Sequence, residues 1–135
     1  MRSHFILTIL LATVILSSCW GFAEEIQIID RYHLLAVDID TDMSLSYKLK
    51  DGNYVGIVDQ TVFSVGFNDD YIIAKQHPDN DHNTINYFIL PIIKNYTYSP
   101  DDGLIGPLTM KQFETKTKEL GIAQLTFTKT IEKLK

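Results

Sequence analysis

After residue 30 the apolar residues fall into short alternating runs, separated by Gly, Asp, Asn and Pro. Alternation with a period of two marks a half-buried strand. Residues 31–37 (RYHLLAV) predict a first strand. Residues 44–49 (SLSYKL) predict a second, with Leu45, Tyr47 and Leu49 on one face and Ser44, Ser46 and Lys48 on the other. Asp51-Gly52 supplies a hairpin turn, because Gly accepts positive φ, and residues 54–58 return from it. Residues 61–67 (TVFSVGF) put Phe63, Val65 and Phe67 on one side, and Asn68-Asp69-Asp70 turns the chain into 71–76 (YIIAKQ). After the polar connection 77–83 (HPDNDHN), residues 85–93 alternate again. Pro91 cannot donate a ladder hydrogen bond, so it marks an edge, a bulge or a strand end. Ser99-Pro100-Asp101-Asp102-Gly103 is a turn cluster.

The period then changes. Met110, Phe113, Thr117 and Leu120 trace a narrow stripe at helical spacing. Thr109-Met110-Lys111-Gln112 has the form of a capping box, with a Thr oxygen for the N3 amide and a Gln reaching back. Leu108 and Phe113 fit the hydrophobic staple around it, and Gly121 stands where a left-handed C-cap is wanted. A helix is expected at about 110–120, followed by a last strand at 124–131 (QLTFTKTI). The predicted fold class is α+β: an antiparallel sheet of about five to seven strands with one C-terminal helix packed on it. The alternative is a β-sandwich with a helical cap.

The N-terminus follows another pattern. Arg2 precedes an apolar run from Phe5 to Leu16 that is too short to span a bilayer, which takes about 20 residues. Residues 1–18 therefore have the form of a secretory signal peptide. Leu16-Ser17-Ser18-Cys19 is similar to a bacterial lipobox, in which an apolar and two small residues precede the cysteine that accepts diacylglycerol. Cys19 is the only cysteine, so no intrachain disulfide competes for it. Lipidation at Cys19 would anchor the chain to a bacterial membrane, facing periplasm or cell exterior, with residues 19–28 as a tether and 29–135 as one globular domain. The alternative is an ordinary secreted protein cut after Gly21-Phe22-Ala23. Which membrane carries the anchor is open. In a eukaryotic source the lipobox argument would lapse, and Asn95-Tyr96-Thr97 would become a glycosylation acceptor.

Composition narrows the function classes. The 135 residues carry 12 basic and 17 acidic side chains, a formal charge of −5, and no basic run, which argues against a nucleic-acid partner. A Cys-rich zinc site is excluded, and no cofactor motif such as a phosphate-cradling Gly-rich loop is present.

The segments VFSVGFNDDYIIAKQHP (62–78), NYFIL (86–90) and GPLTMKQFETKTKELGI (106–122) resemble a family of small bacterial lipoproteins with no assigned activity. The resemblance covers roughly residues 45–125. It implies localisation in the cell envelope and carries over no functional residue.

Candidate chemistry is sparse. Asp38, Asp40 and Asp42 alternate as calcium ligands do, but an EF-hand loop starting there would need Gly at Met43 and Glu at Leu49, so an acidic loop is the favoured reading. His77, Asp79, Asp81 and His82 lie within six residues, with His33 as a third imidazole that folding would have to bring near. No metal site is assigned to either cluster. Ser64, Lys75 and His77 form a candidate binding face if their strands are regular. The tyrosines at 47, 54, 71, 87, 96 and 98 suit either sugar stacking or half-buried packing. No Gly-x-Ser-x-Gly elbow is present, and no catalytic residue is assigned. The favoured function is a non-enzymatic envelope lipoprotein that binds or assists another envelope protein. The alternatives are a small-ligand or glycan-binding domain, and a hydrolase with a His/Asp surface site at 77–82.

Overall fold

The structure, a computed structural model, describes residues 21–135. The expected signal peptide at 1–18, the lipobox-like residues and Cys19 lie outside the described residues. Among the described residues nine strands form two antiparallel sheets. The first sheet is a meander of β1 (Glu24–Ile29), β2 (Tyr32–Ala36), β3 (Ser44–Lys48) and β4 (Tyr54–Val58). The second has the order β8-β7-β6-β5-β9, from β5 (Val62–Phe67), β6 (Tyr71–Gln76), β7 (Asn86–Pro91), β8 (Ile105–Leu108) and β9 (Lys129–Thr130). Among the described residues one α-helix, α1 (Met110–Glu119), completes the α+β fold. The strands thus divide between two stacked sheets, with the helix outside the second, an arrangement that also answers to a sandwich with a helical cap.

Alternation decides which side chains meet. Tyr32, Leu34 and Ala36 of β2 and Leu45 and Tyr47 of β3 face the second sheet, where Val65, Ile72, Ala74 and Leu90 receive them. The chain crosses between sheets at residues 59–61. There Thr61 and His77 exchange backbone hydrogen bonds (2.9 Å each), and the Thr61 hydroxyl donates to the Thr41 carbonyl at 2.6 Å. The other face of the second sheet holds a smaller core. Ile73, Tyr87 and Ile89 meet Phe113 of α1 and Ile122, with Leu125 and Phe127 packed beside them.

The helix starts where its cap demands. The Thr109 hydroxyl accepts from the Gln112 amide at 3.2 Å, and the Gln112 side chain accepts from the Thr109 amide at 2.9 Å. Thr109→Ala is expected to cost about 1 kcal/mol, seen as a lowered melting midpoint. An unchanged midpoint would count against this cap. Of the apolar stripe, Phe113 and Thr117 are buried, Leu120 is half-buried and Met110 is 60% exposed.

Two expectations need correction, and one further strand was not expected. Residues 24–28, the end of the stretch 19–28 read as tether, belong to β1, whose register with β2 pairs Glu25 with Leu35 and Ile26 with Leu34. Its adjacent glutamates hide the alternation of Ile26 and Ile28. Residues 105–108 form edge strand β8 in spite of Gly106 and Pro107, because an edge position asks Pro for no ladder donor. The last strand shrinks from 124–131 to Lys129–Thr130. Leu125 and Phe127 pack in the core beside α1, so that segment follows the side-chain packing and leaves the ladder.

Candidate functional site

At the β1–β2 turn the first sheet opens into a cleft of about 810 Å³. Glu25 and Gln27 line it from β1, Asp30 and Arg31 from the turn, His33 from β2, and Tyr47 and Lys48 from β3. Ile93, Lys94 and Tyr96 close it from the segment after β7. Tyr32 holds that segment in place: its hydroxyl accepts from the Ile93 amide at 3.1 Å. Its ring lies between the sheets, edge-on to Tyr47 with centroids 5.1 Å apart.

Arg31 is fixed at one end of the cleft. Its carbonyl accepts from the Lys48 amide at 2.8 Å, and its Nη1 donates back to the Lys48 carbonyl at 3.1 Å. The guanidinium carbon stands 5.2 Å from the centre of the Tyr96 ring. Lys50 places its ammonium 4.4 Å from the same ring, and its backbone amide donates to the Tyr96 hydroxyl at 3.3 Å. Tyr98 stands edge-on to Tyr96 at 5.2 Å and is 75% exposed. A cation over an aromatic face is held by the ring quadrupole.

At the other end one carboxylate oxygen gathers three groups. Glu25 Oε1 accepts from the Tyr54 hydroxyl, lies 3.3 Å from Lys48 Nζ and stands 3.2 Å from His33 Nδ1. His33 is only 6% exposed. Its Nδ1 is near Glu25 but misaligned, and has no hydrogen-bond partner among the described residues. The Tyr54 hydroxyl holds the Glu25 carboxyl below its usual range; burial pulls the other way, and Lys48 and then His33 add to the lowering. Burial pushes the His33 imidazole down, against the opposing pull of Glu25.

These two shifts set an acid limb of stability. Both groups have folded pKa values below their unfolded ones, so their stabilisation is present above the unfolded value and is lost as pH falls through the folded one. His33 acts first, below its ordinary 6.5, and Glu25 follows below 4.5. His33→Gln is expected to flatten the fall in melting midpoint just below pH 6.5. A parent-like slope in that variant would assign the fall to another group.

The candidate face at Ser64, Lys75 and His77 does not form one surface. Ser64 and Lys75 are register partners across β5 and β6. The Ser64 hydroxyl bonds Thr130 Oγ1 at 2.7 Å and is buried. The Lys75 ammonium lies over the Phe127 ring at 4.4 Å and the Tyr87 ring at 5.7 Å, and burial pulls its pKa down. His77 is buried, stacked on Phe63 at 4.3 Å, with Nδ1 2.8 Å from the Thr84 carbonyl. The loop 77–83 is organised by its own polar atoms. Asp81 accepts from the Asn83 amide at 3.0 Å and from the Thr84 hydroxyl at 2.9 Å, and His82 Nε2 sits 3.1 Å from Asn80 Oδ1. His33 is engaged at Glu25, not at this loop. Asp40 is taken by Lys133 at 2.8 Å, and the Asp42 carboxylate accepts from the Ile39 amide at 3.3 Å. Among the described residues no three His, Cys, Asp or Glu side chains converge on one point. No helix among them is long and apolar enough to cross a membrane.

A family described as a protein of unknown function (DUF3997) matches residues 29–132. The chain belongs to this family. Neither a curated protein nor a solved structure matches it. The DUF3997 span takes in both sheets from the end of β1 onward, and with them Arg31, His33, Lys48, Lys94 and Tyr96 of the cleft. Glu25 and Gln27 precede it.

The cleft's residues escaped sequence reasoning for different reasons. His33 was visible as the one imidazole within the apolar run 32–36 (YHLLA). Glu25 was masked by its neighbour Glu24. The pairing of Arg31 with Tyr96 spans two sheets, and no local pattern encodes it.

Proposed function

We propose that this chain is a lipid-anchored binding protein of a bacterial envelope, held by Cys19, with the cleft between Arg31 and Glu25 as its binding site. The cleft carries this reading: it is open, walled by both signs of charge, and its key groups are fixed in advance by backbone and aromatic contacts. Pre-organised polar groups in a concavity are the usual form of a small-ligand site. This favours a small ligand over docking of another envelope protein. It also moves the site away from the Ser64, Lys75 and His77 face. A non-enzymatic role suits the state of Glu25, whose Oε1 already serves Tyr54 and Lys48.

Two measurements test the reading. Cys19→Ser is expected to release the protein from membranes on fractionation, and continued membrane retention would remove the lipid anchor. Melting of the full-length protein with soluble and lipid fractions of the envelope is expected to show one fraction that raises the midpoint, since a ligand that binds only the folded state stabilises it. If no fraction raises it, the cleft is not a binding site.

A further inference from the structure

We infer that the cleft recognises a phosphorylated polyol, with the phosphate oxyanion on Arg31 and hydroxyls toward Glu25, Asp30 and Gln27. The inference rests on the binding-site reading above and names the ligand class.

The charge of Arg31 is the central observation. The protein is acidic overall, yet no carboxylate among the described residues lies within 4 Å of this guanidinium. Arg31 is also the one arginine among the described residues; every other cation there apart from the histidines is lysine. Arginine differs from lysine in two properties, a flat face that stacks on an aromatic ring and a fork of donors that matches an oxyanion. The aromatic contact is made with Tyr96, whose ring centre lies 5.2 Å from the guanidinium carbon. Of the five donors a guanidinium carries, one goes to the Lys48 carbonyl. The remaining donors belong to a group already held rigid, which lowers the ordering cost of binding.

The rest of the cleft sets the size and polarity of the ligand. At about 810 Å³ it holds far more than a bare phosphate. Lys94 adds a second positive charge on the wall, tied only loosely to Asp70 at 3.7 Å. The same cleft is lined by Glu25, Asp30 and the Gln27 amide oxygen, groups that accept hydrogen bonds from hydroxyls. An anion flanked by hydroxyls satisfies both the cations and these acceptors. A purely anionic ligand would meet the carboxylates, and a neutral sugar would leave Arg31 without a counter-charge.

Calorimetry on the full-length protein in neutral detergent tests this with glycerol 3-phosphate, inorganic phosphate, glycerol, and mixed micelles of phosphatidylglycerol or phosphatidylcholine. Saturable heat is expected from glycerol 3-phosphate or from phosphatidylglycerol, and none from glycerol or phosphatidylcholine. The first result names a free phosphorylated polyol as the source, the second a lipid headgroup. Arg31→Lys is expected to weaken binding roughly tenfold, because charge is kept and the fork is lost. Lys94→Glu, on an exposed side chain, is expected to weaken it several-fold without changing the melting midpoint. Added salt should weaken it as well. Equal heats in the parent and both variants would overturn the assignment of the anion site. Saturable heat from glycerol alone would overturn the phosphate while leaving the cleft as a binding site. Heat from no probe, combined with a midpoint raised by an envelope fraction, would overturn the ligand class alone. Heat from no probe and no raised midpoint would overturn both.

Discussion

Gly66→Ala is expected to destabilise the protein by about 3 kcal/mol, at the upper end of what overpacking usually costs. A Cβ at position 66 would stand 1.9 Å from the Thr126 carbonyl oxygen and 2.8 Å from its carbon. The obstacle is backbone, so no rotamer change relieves it. Neither side can retreat cheaply. Gly66 lies within β5, in register with Ile73 of β6. Thr126 belongs to a segment fastened to β5 just beyond the contact, by the Thr128 amide on the Val65 carbonyl (3.0 Å) and the Ile131 amide on the Phe63 carbonyl (2.8 Å). Relief would mean lifting that segment and uncovering Leu125 and Phe127. Gly56 is the control, since a Cβ there meets no atom within 4 Å. Denaturant titration of both alanine variants measures the contrast. Equal midpoints for the two would show that residues 124–128 do not lie against β5.

Phe113→Ala is expected to cost about 3 kcal/mol or somewhat more, as large aromatic truncations in cores do. Phe113 is the main apolar anchor of α1. Only it and Thr117 are buried on that helix, and its ring meets Tyr87 at 5.0 Å and Phe127 at 5.8 Å. A ten-residue helix is too short to persist in water without tertiary packing. The loss should therefore appear first as faster amide exchange along 110–119, ahead of the strands. Uniform loss of protection across both sheets would show that the helix and the sandwich unfold as one unit.

Local chemistry made much of this fold readable. The Asp51-Gly52 turn, the strand at 54–58, the strand at 71–76 and the capping box at Thr109 all have signals contained within a few residues. What the sequence hid depends on distant partners. β1 owes its existence to β2, β8 survives because it is an edge, and residues 124–128 leave the ladder to fill the space beside α1. The site followed the same rule. Ser64, Lys75 and His77 looked like one face by alternation, but Thr130, Phe127 and Phe63 each claim one of them. Arg31 read only as the first residue of a strand until Tyr96, from beyond the second sheet's β7, was brought over it.

The early start of β1 also fixes a reach. The Ala23 amide already donates to the Val37 carbonyl at 3.1 Å, and the first ladder pair, Glu24 with Ala36, follows at once. Under the anchoring proposed at Cys19, four residue steps would separate the lipid from Ala23, at most about 14 Å of chain. That is close to the radius of gyration of a domain this size, roughly 13 Å. A domain so held could rock against a bilayer but could not drift from it. Arg31 sits one strand-length from the leash, about 20 Å along β1. A first sheet lying along the membrane would bring the cleft among the headgroups, and one standing upright would hold it clear of them.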